Sequence, residues 1–258
     1  MYDLFIFHGH GEGDNGASGS GQVELTLSRK LTNKVVEKLT QNGLKVHTNN
    51  GLNNYHRNLT SGQTYKHRFG YTLHLNSGGG TGSEIIVPKN ENGLDLDFVI
   101  LDKLEKLGLR NRGVKSRDYD TEQFIQRVRN VRLNGKDYYK EIRDAWSNGT
   151  SLGILEVCFI DNARDVDIFI NNLERIASII SDEILKVCGK SPINVSREAF
   201  KIGDKVKVKT LLDYKNVTNA SWVLNETFDV LEMQGNRVVI GRNGQITGAW
   251  HKDNLRGV

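Results

Sequence analysis

A histidine of the pair His8 and His10, with Glu24, His74 and Glu156, combines side-chain type and position in this 258-residue chain in a way that suits metal-assisted hydrolysis. His8 and His10 stand in "FIFHGHGEGDNGASGSGQVE", a glycine-rich loop after a short apolar run, in a chain with only seven histidines. Glu24 opens the next periodic apolar stretch, and His74 lies inside "GYTLHLN". Two imidazoles and a carboxylate are usual zinc ligands, and three protein ligands leave the fourth tetrahedral position open for water. Glu156 is a lone carboxylate within "LGILEVCFI". Desolvation in such a run raises a carboxyl pKa towards the range of a working general base. Singly, each has a plainer reading: His74 as a core histidine, Glu156 as half of a structural ion pair. Together, at strand ends, they point to a site.

The same loop admits a second chemistry. Gly11, Gly13 and Gly16 match G-x-G-x-x-G after a strand and before a helix, the spacing of a dinucleotide cradle. Three features oppose it. Glycines continue past the third, so the helix begins too late for its N-terminus to hold a pyrophosphate. Glu12 and Asp14 would repel phosphate, and the second strand ends "VHTNN" without the acid that binds ribose.

Elements that alternate between strand and helix must position these residues. "YDLFIF" (2–7), "LKVHT", "GYTLHLN" (70–76), "SEIIV" (83–87) and "SLGILEVCFI" (151–160) read as buried strands, the last as a central one. Leu27, Leu31, Val35 and Leu39 recur every four residues and predict a helix of about five turns stopped by Gly43. Glu24, three and seven residues before Leu27 and Leu31, falls on its sheet-facing side. Leu94, Phe98, Leu101, Leu104 and Leu107 mark another helix, and "RDVDIFINNLERIASIISDEILKVC" a closing one. The pattern predicts an α/β fold, a mostly parallel sheet with helices on both faces. The stretch 48–70 reads as a polar loop.

The character changes at "CGKSPINVSREAF", which holds one of only two prolines. We place a linker at 189–199, a first domain at 1–188 and a second at 200–258. The second contains "DKVKVKT", "ETFDVLEMQ", "NRVVIGR" and "GAWHKDNL", short alternating runs that predict a small all-β barrel. Charge divides at the same place. Residues 1–189 carry 24 basic and 24 acidic side chains, residues 190–258 carry 11 and 7. The net +4 therefore lies in the last quarter and suits an anionic partner, although an excess of four is also within ordinary surface scatter. Cys158 and Cys188 read as free thiols. No apolar run reaches the roughly 20 residues needed to span a membrane.

The residues resemble a known family. "GHGEGDNGASG", "VELTLSRKL", "TLHLNSGGGTGSE", "LRNRGVKSRD" and "GILEVCFIDNARDVDIF" are similar, in order and over about residues 1–188, to zinc-dependent N-acetylmuramoyl-L-alanine amidases of the amidase-3 type, which include autolysins and phage endolysins. The resemblance implies Zn2+ bound by His10, Glu24 and His74, with Glu156 as the catalytic glutamate. His8 is then no ligand but a residue beside the metal site or the substrate. It implies hydrolysis of the amide between N-acetylmuramic acid and L-alanine in peptidoglycan by zinc-activated water. A zinc peptidase cutting stem peptides is the alternative within enzymes, and a non-catalytic wall-binding protein the alternative outside them. Asn76 and the amides of the 77–82 loop are candidates for positioning substrate. The family's arginine and aspartate after the second strand are replaced here by "TNNGLNNYH". The stretch 117–149 is longer than in compact members, and its Tyr138, Tyr139 and Trp146 either line a groove or pack. The tail resembles bacterial SH3-like wall-binding modules, with Trp222, Trp250 and Tyr214 as possible sugar platforms and an anionic wall polymer as possible partner. Neither a nucleic-acid partner nor membrane insertion is expected. The start "MYDLFIFHGHG" has no basic segment or cleavage site. An endolysin released through a phage pore is therefore expected, or a secreted autolysin if a leader precedes this stretch.

Overall fold

The structure is a computed structural model that describes residues 3–11, 13–49, 69–91, 94–191, 200–211, 213–215 and 217–258. Of the polar stretch read over 48–70, residues 50–68 lie outside the described residues, as do residues 192–199 of the linker placed at 189–199. The chain divides into two compact units, Met1–Pro192 and Ile193–Val258.

The first unit is built on a seven-stranded sheet in the order β4-β1-β5-β9-β6-β7-β8. Its strands are β1 (Leu4–His8), β4 (Val46–His47), β5 (Phe69–Asn76), β6 (Ser83–Ile86), β7 (Asn111–Arg117), β8 (Phe124–Gln126) and β9 (Ser151–Phe159). A two-residue hairpin, β2 (Ser18–Gly19) and β3 (Gln22–Val23), stands apart from it. Pairs β1–β4, β1–β5, β5–β9 and β6–β7 are parallel, whereas β6–β9 and β7–β8 are antiparallel. The sheet is thus mostly parallel, with β9 central as its long, largely apolar run predicts.

Side chains alternate between two faces. One face carries Leu4, Ile6, Tyr71, Leu73, Leu75, Leu155 and Val157 and packs on helices α1 (Glu24–Gln41), α2 (Asp95–Glu105) and α5 (Leu173–Val187). Leu27, Leu31, Val35 and Leu39 are the buried stripe of α1, each worth about 1.5–3 kcal/mol on burial. The helix ends at Asn42, followed by Gly43 at φ +75°. The other face carries Phe5, Phe7, Ile86, Leu152 and Ile154 and is covered by the short helix α3 (Lys140–Ser147) through Ile142 and Ala145. The single closing helix expected over 164–188 is two, α4 (Ala163–Asn171) and α5, broken at Asn172, whose side-chain amide caps the Ile168 carbonyl at 2.9 Å.

The second unit is a five-stranded antiparallel sheet, order β13-β12-β11-β10-β14, formed by Lys205–Val208, Phe228–Gln234, Arg237–Arg242, Gln245–His251 and Leu255–Gly257 as β10 to β14. Val206, Val208, Phe228, Val230, Val238, Ile240 and Trp250 fill its core. Trp250 is fully buried and donates its indole N–H to the Thr210 carbonyl at 3.1 Å, whereas Trp222 and Tyr214 are exposed. Trp250 is therefore core, and the other two remain available to a ligand.

Candidate active site at the carboxyl edge of the sheet

Strands β1, β5 and β9 run the same way, so His8, His74 and Glu156 come to one edge, the edge where open α/β sheets place their ligands. Beyond β1 the loop folds through a Gly11–Asp14 bridge and the β2–β3 hairpin, which turns at Ser20 and Gly21. That hairpin delivers Glu24 as the first residue of α1 and brings its side chain back over the edge.

His10, Glu24 and His74 converge. Their ligand atoms lie within 4.8 Å of one another. Nε2 of His10 is 3.0 Å and Nδ1 of His74 3.1 Å from Glu24 Oε1. The Leu75 amide, where the β5–β9 ladder shifts register, also donates to Oε1 at 3.1 Å, and the Ala17 amide donates to Oε2 at 3.0 Å. Two glycines allow this approach. A Cβ on Gly9 would lie 2.2 Å from the His74 ring, and one on Gly16 would lie 2.6 Å from both Glu24 Oε2 and the His10 ring.

The electrostatics call for a cation. Burial alone would raise the Glu24 pKa, but hydrogen bonds to His10 and His74 hold its carboxyl well below the usual carboxylate range. Burial alone would lower His74, but the Glu24 hydrogen bond and the charges of Glu156 and Glu141 push it up to about 9. A divalent cation among the three donors answers the same field, and two imidazoles with a carboxylate suit zinc. Asp14 Oδ2 meets His10 Nδ1 at 2.9 Å, the carboxylate–histidine pairing that fixes a ligand's tautomer.

Glu156 stands in register with His74 on one side and Glu84 on the other. It is half-buried, and its Oε2 has no hydrogen-bond partner among the described residues. Burial pushes its pKa up to about 7, against the lowering influence of His74. Glu84 is the contrasting carboxylate. Burial would raise it, yet hydrogen bonds from Lys115 Nζ (2.7 Å) and Arg112 Nε (2.5 Å) keep it ionised.

The structure leaves His8 outside the three-residue group: it is buried at the end of β1, with Asn49 bridging its backbone N–H and C=O at 3.1 Å each. Asn76 and part of the glycine loop are committed internally. Asn76 Nδ2 donates to Glu84 at 3.1 Å, the Gly78 and Gly79 amides to Asp161 at 2.8 and 2.7 Å, and the Gly82 amide to Asp165 at 2.7 Å. These groups stiffen the rim rather than offer donors to a ligand. Sequence reasoning missed Asp14, Glu84, Arg112, Lys115, Asp161 and Asp165. Glu84 carries the signal that marked Glu156, a carboxylate in an apolar strand, and was recoverable. Arg112 and Lys115 lie on β7, whose charged sequence hides a strand.

No curated protein sequence matches the chain significantly. Solved structures with the same fold include Cwp6 from Clostridium difficile, at 24% identity and TM-score 0.57 over 74% of this chain but only 29% of that one. The catalytic domain of an endolysin targeting Clostridia difficile aligns at 21% identity and TM-score 0.51, over 74% of this chain and 99% of that one. The N-acetylmuramoyl-L-alanine amidase AmiC2 of Nostoc punctiforme aligns at 17% and 0.52, over 72% and 97%. The family model described as N-acetylmuramoyl-L-alanine amidase matches residues 4–186, most of the chain, and the chain therefore belongs to that family and is a peptidoglycan amidase.

Proposed function

We propose that the chain hydrolyses the amide between the lactyl group of N-acetylmuramic acid and L-alanine, with zinc held by His10, Glu24 and His74 and with Glu156 as general base. The observation that carries this reading is the juxtaposition at one sheet edge of a His/Glu/His donor set and a partly buried carboxyl with an unsatisfied oxygen. Zinc bound by those donors supplies Lewis acidity and a lowered pKa for water. Asp14 keeps the His10 ring in one tautomer, and the Leu75 and Ala17 amides hold the Glu24 carboxylate in place. Glu156 takes a proton from the attacking water and returns it to the departing amine of alanine. Its raised pKa suits both transfers near neutrality.

Mass spectrometry of a peptidoglycan digest tests the reading. Free L-alanine amines together with intact glycan strands are expected. New amines within the stem peptide instead identify a zinc peptidase. Glu156→Gln should retain fold and zinc and lose on the order of 10² to 10⁴-fold in rate. Near wild-type clearing by that variant excludes Glu156 as the base. The second unit, read as an SH3-like module, supplies attachment to the wall through its exposed aromatic and basic side chains. Phage release through a pore and host secretion are the two routes to that wall.

A further inference from the structure

The sheet face that bears Glu156 is charged asymmetrically. On the β1–β5 side stand Glu24 and Glu141, whose negative charges both act on His74. On the β7 side the sign reverses. Glu84 is met by both Arg112 and Lys115, which leaves one positive charge in excess. Arg117 follows two residues after Lys115 on β7 and so lies on the same face.

Arg117 is held as a platform. Its Nε donates to the Glu122 carbonyl at 2.9 Å. Its guanidinium lies 3.8 Å over the Tyr138 ring and within 5.1 Å of Phe124 and 5.7 Å of Tyr139. The Tyr139 phenol accepts a hydrogen bond from it and feels the charges of Glu156 and Glu84. Tyr139 also packs on the cluster of Phe5, Phe7, Ile86 and Ile154 beneath the catalytic edge. A guanidinium has five donors. With its side chain 24% exposed and a terminal nitrogen 3.9 Å from the exposed Glu122 carboxylate, Arg117 keeps N–H groups on the Glu156 face, two strands from Glu156 and four residues along the sheet towards the start of β9. Rigid stacked guanidinium groups suit bidentate carboxylate recognition.

We propose that Arg117, on its shelf of Tyr138, Tyr139 and Phe124, binds a carboxylate of the peptide part of the substrate and so sets which way the substrate lies. This rests on the amidase reading. In that substrate the one carboxyl group of the sugar acid is consumed in the scissile amide, so free carboxylates belong to the peptide. The peptide then runs over β7 and β8, and the glycan lies on the opposite side of Glu156. The leaving amine, which is on the peptide side, faces the proton that Glu156 returns.

The test uses two synthetic ligands, an N-acetylmuramoyl tripeptide with free carboxylates and the same molecule with those groups as carboxamides. Binding is measured by calorimetry on the zinc-loaded, full-length Glu156→Gln protein, and turnover by amine release from the wild type. The carboxylate ligand should bind about tenfold more tightly, in line with a charge-assisted pair at a partly exposed site. Adding Arg117→Gln should remove that preference by weakening the carboxylate ligand alone, and Arg117→Lys should restore part of it. In turnover the loss should appear in KM rather than kcat. Equal binding of the two ligands by the protein with Arg117 intact overturns the proposal, as does an equal loss on both when Arg117 is changed. The ligand comparison with Arg117 intact needs no folding of an Arg117 variant. A binding preference without any amine release would retain the carboxylate site and overturn the amidase reading instead.

Discussion

At the residue scale, Glu24 does more than any other side chain near the edge. One oxygen faces both histidines and the Leu75 amide, and the other takes the Ala17 amide, so its position is set from four directions. His10→Ala and His74→Ala should therefore each lose most of about one equivalent of zinc per chain, because an open site has three protein ligands and none to spare. His8→Ala should retain it, since His8 lies outside the converging group. Asp14→Asn should weaken zinc by about 10- to 100-fold, the usual cost of a supporting partner. Elemental analysis after dialysis against graded chelator reads all four. Zinc absent from reconstituted wild type, or lost by His8→Ala and kept by His10→Ala, overturns the assignment. A His/Glu/His set was legible in the sequence because zinc chemistry restricts side-chain type so severely, while the choice of His10 over His8 came from the family resemblance. Two imidazoles and an acid at strand ends have few other uses, while Asp14 looked like any loop acid until the fold put it at 2.9 Å from His10.

At the element scale, legibility followed the hydrophobic pattern and failed where charge replaced it. The α1 stripe and the apolar β5 and β9 were readable because their buried faces are purely apolar or nearly so. β7 reads "NRGVKSR" and shows no such pattern. Its cations are stabilised by Glu84 and Tyr138, about 20 to 30 residues away in sequence, and by Phe124 on the next strand. The break at Asn172 escaped for the opposite reason: the apolar period runs on through both helices. A further buried element carries a pH dependence. Asp97, in the first turn of α2, accepts from the Tyr71 hydroxyl and from the Leu94 amide at 3.1 Å. Burial pushes its pKa up from the ordinary 3.8 to about 7. A carboxyl raised in the folded state binds its proton more tightly there than in the unfolded chain. Its contribution is full below about pH 4 and is lost as pH rises towards 7, by on the order of 3–4 kcal/mol. Urea denaturation of wild type and Asp97→Asn at pH 4, 5.5 and 7 checks this. The wild-type stability relative to the variant should fall steadily across that range, and a constant difference refutes the shift.

At the scale of the whole molecule, the chain joins a first unit that carries the entire candidate site to a second with a separate core. Few contacts need to cross between such units for either to fold, so residues 1–191 should release alanine amines without the rest. The second unit should hold to walls without cutting them. It carries most of the chain's net positive charge, and Trp222 and Tyr214 are 51% and 43% exposed, the latter stacked on His251 at 6.2 Å and 8°. Charge and rings make different demands on the solvent. Attraction between exposed charges is screened beyond about 10 Å at 0.1 M salt and beyond about 3 Å at 1 M, whereas stacking of rings on sugar faces is little affected. A labelled 200–258 fragment should therefore bind isolated walls at low salt and lose a large part of its affinity by 1 M. The residue that survives high salt should fall further in Trp222→Ala and Tyr214→Ala. Binding indifferent to salt and abolished by the aromatic substitutions would assign attachment to the rings alone. Binding indifferent to both would move it to another surface, and no binding at all would leave the second unit without a role at the wall.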